Sequence, residues 1–368
     1  MTEKKIRGIG AAIVLACWLV LTVTAWVQTP KDISESERRK LAQMPEITAD
    51  SILGGKFMTK FEDFTLDQFP LRDSFRTLKA LVHYNVLMQG DNNDIYVSDG
   101  YAAKLEYPLN ESSLSGALGK FEHIYEKYLQ GTDCNAFVSV VPDKSLYLAQ
   151  SDGYLSMDYQ KLFDTVKTGM DWAQFVDISD LLVVGDYYRT DTHWRQERIL
   201  DVAQRLSAAM GTASFDESEL IRTKVERPFY GVYYGQAALP MEPETLYYLT
   251  NDLLNNCLVH NFETGKETRI YDMEKLQSRD LYDIYLSGAA ALLEIKNPAA
   301  TTDRELVVFR DSFGSSLIPL LVKDYAKVTV VDTRYIASDL VGEYLEFDDQ
   351  DVLFLYSTLI LNSSNSLK

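Results

Sequence analysis

Residues 9–27, "IGAAIVLACWLVLTVTAWV", contain no charge, and this is the first pattern along the chain. At ~1.5 Å of rise per residue, a helix of that length crosses a hydrocarbon core of ~30 Å. Residues 29–50 are polar, mixed in charge and punctuated by Pro30 and Pro45, which predicts a stalk. From 51 to 90, apolar and aromatic residues recur at helical spacing with a break at Pro70, which predicts two helices meeting there. In "DIYVSDGYAAKLEY" (94–107), aromatic and β-branched residues flank Asp99 and Gly100, the signature of a hairpin with a type I′ turn. Strand-like apolar runs then follow at 135–143, 174–182, 305–311 and 326–332, with a last one from 351. Helical stretches separate them, at about 112–130, 158–171 and 194–210 and in "SFGSSLIPLLVKD". That alternation predicts an α/β fold whose mostly parallel sheet is flanked by helices. Tyrosines and short strand-like pieces break the rhythm from 212 to about 296, as an insertion or edge sub-sheet would. The chain therefore reads as a tip and anchor (1–28), a stalk (29–50) and one α/β domain (51–368).

Charge sharpens the topology. Lys4, Lys5 and Arg7 precede the apolar run, which places the N-terminus in the cytoplasm and everything after the anchor outside. The alternative is a cleaved signal peptide and a secreted protein. "VTA" at 23–25 is an acceptable cleavage site, although signal peptides usually carry a shorter apolar stretch of about 7–15 residues. "VLAC" at 14–17 faintly matches a lipoprotein box, but the apolar run continues ten residues past Cys17. The net charge of −18 opposes nucleic-acid binding, which depends on cations meeting phosphates. Three cysteines at unhelpful spacing argue against a zinc site and permit at most one disulfide, Cys134 with Cys257.

Ligands of an open α/β sheet bind beyond the carboxyl ends of its strands, so the residues just past each apolar run matter most. They are Pro142, Asp143 and Lys144; Asp191 and His193; Asp311 and Ser312; Asp332 and Arg334; Asn362 and Ser363. Ser312 sits where a strand turns into a helical run, so its hydroxyl and neighbouring N–H groups suit an alkoxide and an oxyanion. Asp311 or Ser312 as a simple helix cap is the competing reading. Of four histidines, His83, His123 and His260 lie in helical or irregular stretches and read as packing or surface residues. His193 follows Asp191 by two positions, so the carboxylate can fix one imidazole nitrogen and leave the other to take a proton. A capped loop with an incidental histidine stays open at this point. No third histidine stands at ligand spacing, which weakens a metal site.

"YYRTDTHW" followed by a helical stretch, then "LVVFRDSFGSSLIPLL", resembles the DHHW family and the related periplasmic alginate O-acetylation proteins. "SERRKLAQMP", "GGKFMTKFEDFTLDQFPLRD", "FYGVYYG", "VVDTRY" and "LYSTLILNSS" extend that resemblance along most of the chain. It implies an SGNH-hydrolase-like fold in circularly permuted order, the Asp-x-His pair preceding the serine, behind one N-terminal transmembrane helix. It also implies Ser312 as nucleophile, His193 as general base and Asp191 as the residue orienting His193. Thr192 replaces the second letter of the family name, as in the alginate-type proteins, and is not expected to be catalytic. Where many DHHW-like chains carry Gly-Gly-Asn, this one has Gly288, Ala289 and Ala290 in "LSGAAALLEI", so a side-chain oxyanion donor is missing. The backbone of Ser312 with Gly288 is then expected to serve, while Tyr188 is a candidate for substrate contact and Arg334 either for substrate contact or for a buried ion pair with Asp332 or another acid.

The activity implied is O-acetyl transfer or acetyl-ester hydrolysis on a polysaccharide, without a cofactor or metal. The implied partners are a polysaccharide acceptor and a polytopic membrane O-acyltransferase that supplies acetyl groups. A non-catalytic polysaccharide-binding or assembly protein of the cell envelope is the alternative, favoured by Ala289. A structural envelope or sporulation protein with a vestigial site is a third.

Overall fold

The computed structural model describes residues 3–149 and 153–368. They fold into two units: residues up to 92 with 234–240, and residues 93–233 with 241–368. In the first, the charge-free run forms a single helix, α1 (Glu3–Val27), whose span from Lys5 to Val27 is long and apolar enough to cross a membrane. The stalk residues pair Ile33–Ser34 with Arg39–Lys40. After a short helical turn at Ala49–Leu53 come two longer helices, α2 (Lys56–Asp67) and α3 (Arg72–Asn85), and the break between them falls around Pro70, where the missing N–H stops a helix. Arg72 and Arg76 converge on Glu37, at 2.5 and 3.3 Å, and Arg39 meets Asp67 at 2.5 Å.

The second unit opens with the hairpin β1 (Ile95–Ser98) and β2 (Tyr101–Lys104). Asp99 and Gly100 both have positive φ, as a type I′ turn requires. The main sheet is built from β3 (Asn135–Val141), β4 (Gln174–Phe175), β5 (Leu258–Asn261), β6 (Lys266–Arg269), β7 (Leu292–Lys296), β8 (Glu305–Arg310), β9 (Lys327–Val331) and β10 (Asp351–Ser357). Its order is β6-β5-β7-β9-β8-β10-β3-β4. From β9 to β4 all neighbours are parallel, and β6, β5 and β7 add an antiparallel edge. The stretch from 212 to 296 thus supplies an edge sub-sheet, plus a separate ribbon of Ile221–Lys224 with Tyr247–Thr250.

The apolar runs are unbroken because both sheet faces are covered. Leu306, Val308, Leu353 and Leu355 point into one core with Val202, Ala203 and Leu206 of α4 (Leu200–Ala209). Val307, Phe309, Val352 and Phe354 point into the other, against the helices at Glu111–Ile124 and Tyr159–Gly169. Burying one such aliphatic side chain contributes ~1.5–3 kcal/mol, so this alternation fixes the register.

Three elements differ from the expectation. Of 174–182 only Gln174 and Phe175 pair, because Asp177 accepts from the Ser179 N–H (2.9 Å) and turns the chain. The helix expected from 194 starts at Leu200, after a 3₁₀ turn at Gln196–Arg198. "SFGSSLIPLLVKD" gives one α-turn, Gly314–Leu317, and then 3₁₀ helix from Ile318 to Asp324, since Pro319 has no N–H to continue an α-helix. All three cysteines are free: Cys257 is buried in the first core, and Cys134 packs partly buried against the second.

Candidate active site

Strand β8 ends at Arg310, and the next two residues make the turn that presents Ser312. Asp311 closes this turn: its buried carboxylate accepts from the Phe313 N–H (3.0 Å) and the Ser357 N–H (2.7 Å). Ser312, partly exposed, takes no part in those bonds, and its Oγ lies 2.8 Å from His193 Nε2.

The loop carrying His193 is held as a narrow hairpin by the bridge between Tyr187 and Trp194 and by the Tyr188 N–H donating to the His193 carbonyl (3.1 Å). Asp191, fully buried, lies with Oδ1 2.6 Å from His193 Nδ1, and the same oxygen accepts the His193 backbone N–H at 3.0 Å. Its Oδ2 accepts the Val232 N–H at 2.8 Å. Three donors on one carboxylate fix its orientation and keep it an acceptor. The His193 ring is stacked on Tyr282, with centroids 3.9 Å apart and planes 9° apart, and leans on Phe313. Tyr282 is pinned in turn by a hydrogen bond of 2.7 Å with Ser316, and the Trp194 indole donates to Ser316 and to the Phe313 carbonyl. The two loops are therefore locked together beneath the Ser312–His193 contact.

Several supporting groups carried no assignment in the sequence. Glu244 accepts the N–H groups of Arg189 and Thr190, both at 2.8 Å, and the Thr190 hydroxyl at 2.9 Å. Gly231 lies against the backbone beside Asp191, where an added Cβ would come within 2.3 Å of Asp191 Cα. Lys144, one of the sheet-edge residues, is buried, and its ammonium donates to the Tyr188 carbonyl at 2.6 Å between the rings of Tyr101 and Tyr233. Burial pushes this lysine down to about 7, against the opposing pull of Asp191, Glu244 and Asp143. A strand-end lysine was the one sequence signal pointing here.

The other expected residues are placed differently. Arg334 forms a two-point ion pair with Asp332 (2.9 and 2.6 Å), one of the two roles open to it, and the buried Arg310 stands 3.5 Å from the same carboxylate. Gly288 has φ +80°, its N–H donates to the Tyr285 carbonyl (3.1 Å), and its own carbonyl accepts from Arg310 (3.3 Å). Its N–H is therefore engaged and does not point to an oxyanion. The Tyr188 ring is buried edge-on against Phe229, so it packs the loop instead of facing solvent as a sugar platform would. Thr192 accepts a hydrogen bond of 3.1 Å from Tyr233 and does not touch Ser312.

Comparison with known proteins matches residues 183–331, which hold Asp191, His193 and Ser312, to the family described as DHHW protein. No curated protein matches the chain. Among solved structures, a DHHW family protein from Eubacterium siraeum superposes with a TM-score of 0.59 at 19% identity, over 75% of this chain and 94% of that one. PatB1 of Bacillus cereus gives 0.58 at 16% identity, over 73% and 96%. The same PatB1 carrying a sulfonyl adduct gives 0.55 at 17%. The resemblance to DHHW proteins read from the sequence is borne out over residues 183–331, and the α/β fold with its mostly parallel sheet is shared with these solved structures.

Proposed function

From this DHHW-like fold, we propose that the protein is a membrane-anchored, extracytoplasmic O-acetyltransferase or acetylesterase acting on a polysaccharide through Ser312, His193 and Asp191. One observation carries the reading: the continuous hydrogen-bond path from Asp191 Oδ1 to His193 Nδ1 (2.6 Å) and from Nε2 to Ser312 Oγ (2.8 Å), ending on a partly exposed hydroxyl. In the first half-reaction, Nε2 takes the Ser312 proton while Oγ attacks the acetyl carbonyl carbon. Collapse of the tetrahedral intermediate breaks the bond to the donor oxygen, which receives that proton from His193. In the second half, a sugar hydroxyl or water gives its proton to Nε2 and attacks the acetyl-serine. Ser312 Oγ then leaves and is reprotonated. Asp191 holds the proton on Nδ1 throughout and balances the imidazolium. The Ser312 N–H is the oxyanion donor in this scheme. The donor is a polytopic membrane O-acyltransferase, the acceptor is the polysaccharide, and no cofactor is needed. Exclusion of water decides between transfer and hydrolysis.

The test is hydrolysis of a chromogenic acetate ester by the full chain, with Ser312→Ala and His193→Ala as controls. A folded Ser312→Ala that loses turnover supports the reading, as does labelling of wild-type Ser312 by a sulfonyl fluoride that depends on His193. The engaged Gly288 N–H and Ala289 favour a second reading, a non-catalytic polysaccharide-binding or assembly protein. Wild-type protein that neither turns over nor labels, yet retains a polysaccharide, would replace the first reading with the second.

A further inference from the structure

One face of α3 has no protein cover. Leu71, Phe75, Leu78, Val82 and Val86 follow one another at intervals of three or four residues and so form a single stripe, and all five are exposed, Leu71 and Val86 by 69%. The opposite side of the helix carries Ala80, fully buried. This unit's charges also differ from those of the remaining chain. Residues 1–92 hold 12 basic and 11 acidic residues, whereas the rest of the chain holds 24 and 43. Lys79 borders the stripe and is exposed, as are Lys56 and Lys60 on α2.

The chain leaving α1 is tied to the same helix pair. The Gln28 amide donates to the Gln68 carbonyl at the corner between α2 and α3, the Lys31 N–H donates to Gln68 Oε1 (2.9 Å), and Gln68 returns a bond to the Lys31 carbonyl (2.8 Å). Trp26, 72% exposed at the end of α1, stands within one helical turn of that knot. Tryptophan at the end of a spanning helix marks the headgroup level. The corner of α2 and α3 is therefore held at that level too.

We infer that α3 lies in the outer headgroup layer beside the anchor, with the Leu71–Val86 stripe turned into lipid and Lys79 reaching the headgroups. The inference rests on α1 being an uncleaved anchor. Interfacial helices bury such a face ~5–10 Å deep and place lysines along its border, where the alkyl stem stays in the apolar layer. The near-neutral unit faces an anionic surface without the repulsion that the other unit, at a net −19, would meet. A protein partner would also cover an apolar stripe, but the tie at Gln68 brings lipid to the stripe and names no second chain.

The test uses the full chain in nanodiscs of phosphatidylglycerol and phosphatidylethanolamine. Phe75, Leu78 or Val82 is replaced one at a time by p-benzoylphenylalanine, and Asp73, on the far side of the helix, serves as control. Photolysis followed by mass spectrometry is expected to give phospholipid adducts at the three stripe positions, several-fold above the yield at Asp73. Equal yields at Asp73, adducts to a second copy of the chain, or no lipid adduct would overturn the inference and leave the anchor standing. The intact mass of the protein from native membranes tests the anchor separately, and a chain shortened after Ala25 would overturn both.

Discussion

Replacing Asp191 by asparagine tests the proposed triad with the least change in shape. The carboxylate meets donors on both oxygens: the His193 backbone N–H and ring Nδ1 on one, and the Val232 N–H on the other. An asparagine must aim its NH₂ at one of these two sides. Aimed at Val232, it strands a buried N–H. Aimed at His193, it strands the His193 backbone N–H and draws the ring into the tautomer protonated on Nε2, which no longer accepts the Ser312 proton. Either way one buried donor loses its acceptor, a cost of about 1–3 kcal/mol of stability. Either way the negative charge that balances the imidazolium is gone. Loss of the orienting carboxylate in a serine triad lowers turnover by up to ~10⁴-fold, or about 5.5 kcal/mol of barrier. Asp191→Asn is therefore expected to lose two to four decades of acetate-ester turnover, with guanidinium unfolding showing only the smaller stability loss. A variant that is destabilised as expected but keeps turnover within about twofold would refute the triad, since the carboxylate would then serve the loop alone.

Three further outcomes follow from the same geometry. Because the Lys144 ammonium is pushed down to about 7 by burial, the unfolded chain binds its proton more tightly between pH 7 and its ordinary value near 10.5. Stability should therefore rise with pH across that window, by up to about 5 kcal/mol, and Lys144→Met should flatten the rise in guanidinium midpoints measured at pH 7.5 and 9.5. Gly231→Ala should cost at least about tenfold in turnover, because its Cβ would sit 2.3 Å from Asp191 Cα; Gly119→Ala, in open space on a helix, should leave turnover unchanged and gain about 0.5–1 kcal/mol of stability. Thr192→Val removes only the acceptor for Tyr233, so turnover within twofold and a loss of about 1 kcal/mol are expected from the same two assays.

The sequence was most legible where one physical term dominates. Strands β3, β8, β9 and β10 lie within a residue or two of their apolar runs, because coverage on both faces favours apolar side chains at nearly every position. Asp99 and Gly100 announced their turn because few residues accept positive φ at two successive positions. Legibility fell where local chemistry competes with pattern. "QFVDISDLL" has the composition of a strand, yet the Asp177 carboxylate offers the backbone another acceptor and the ladder stops after two residues. "SFGSSLIPLLVKD" has the composition of a helix, and Pro319 turns most of it into 3₁₀.

Within the candidate site the same division holds for a different reason. Asp191, His193 and Ser312 were readable because each needs a particular functional group, and few residue types supply a base or a nucleophile. The groups that hold them act largely through backbone. Val232 contributes an N–H to Asp191, Tyr188 offers a carbonyl to Lys144, and Glu244 grips two N–H groups of the loop. Any residue except proline supplies an N–H, so the Val232 contact leaves no trace in residue identity. Two supporting positions do restrict identity. Gly231 must be glycine because Asp191 occupies the space of its side chain, and Lys144 is a buried amine whose Nζ donates to the Tyr188 carbonyl under the pull of Asp191, Glu244 and Asp143. A glycine inside "FYGVYYG" and a lysine after "VVPD" were the legible traces of that second layer. Both trace back to the same 2.6 Å contact between Asp191 and His193, since Gly231 sets where Asp191 sits and Lys144 holds the loop that carries them both.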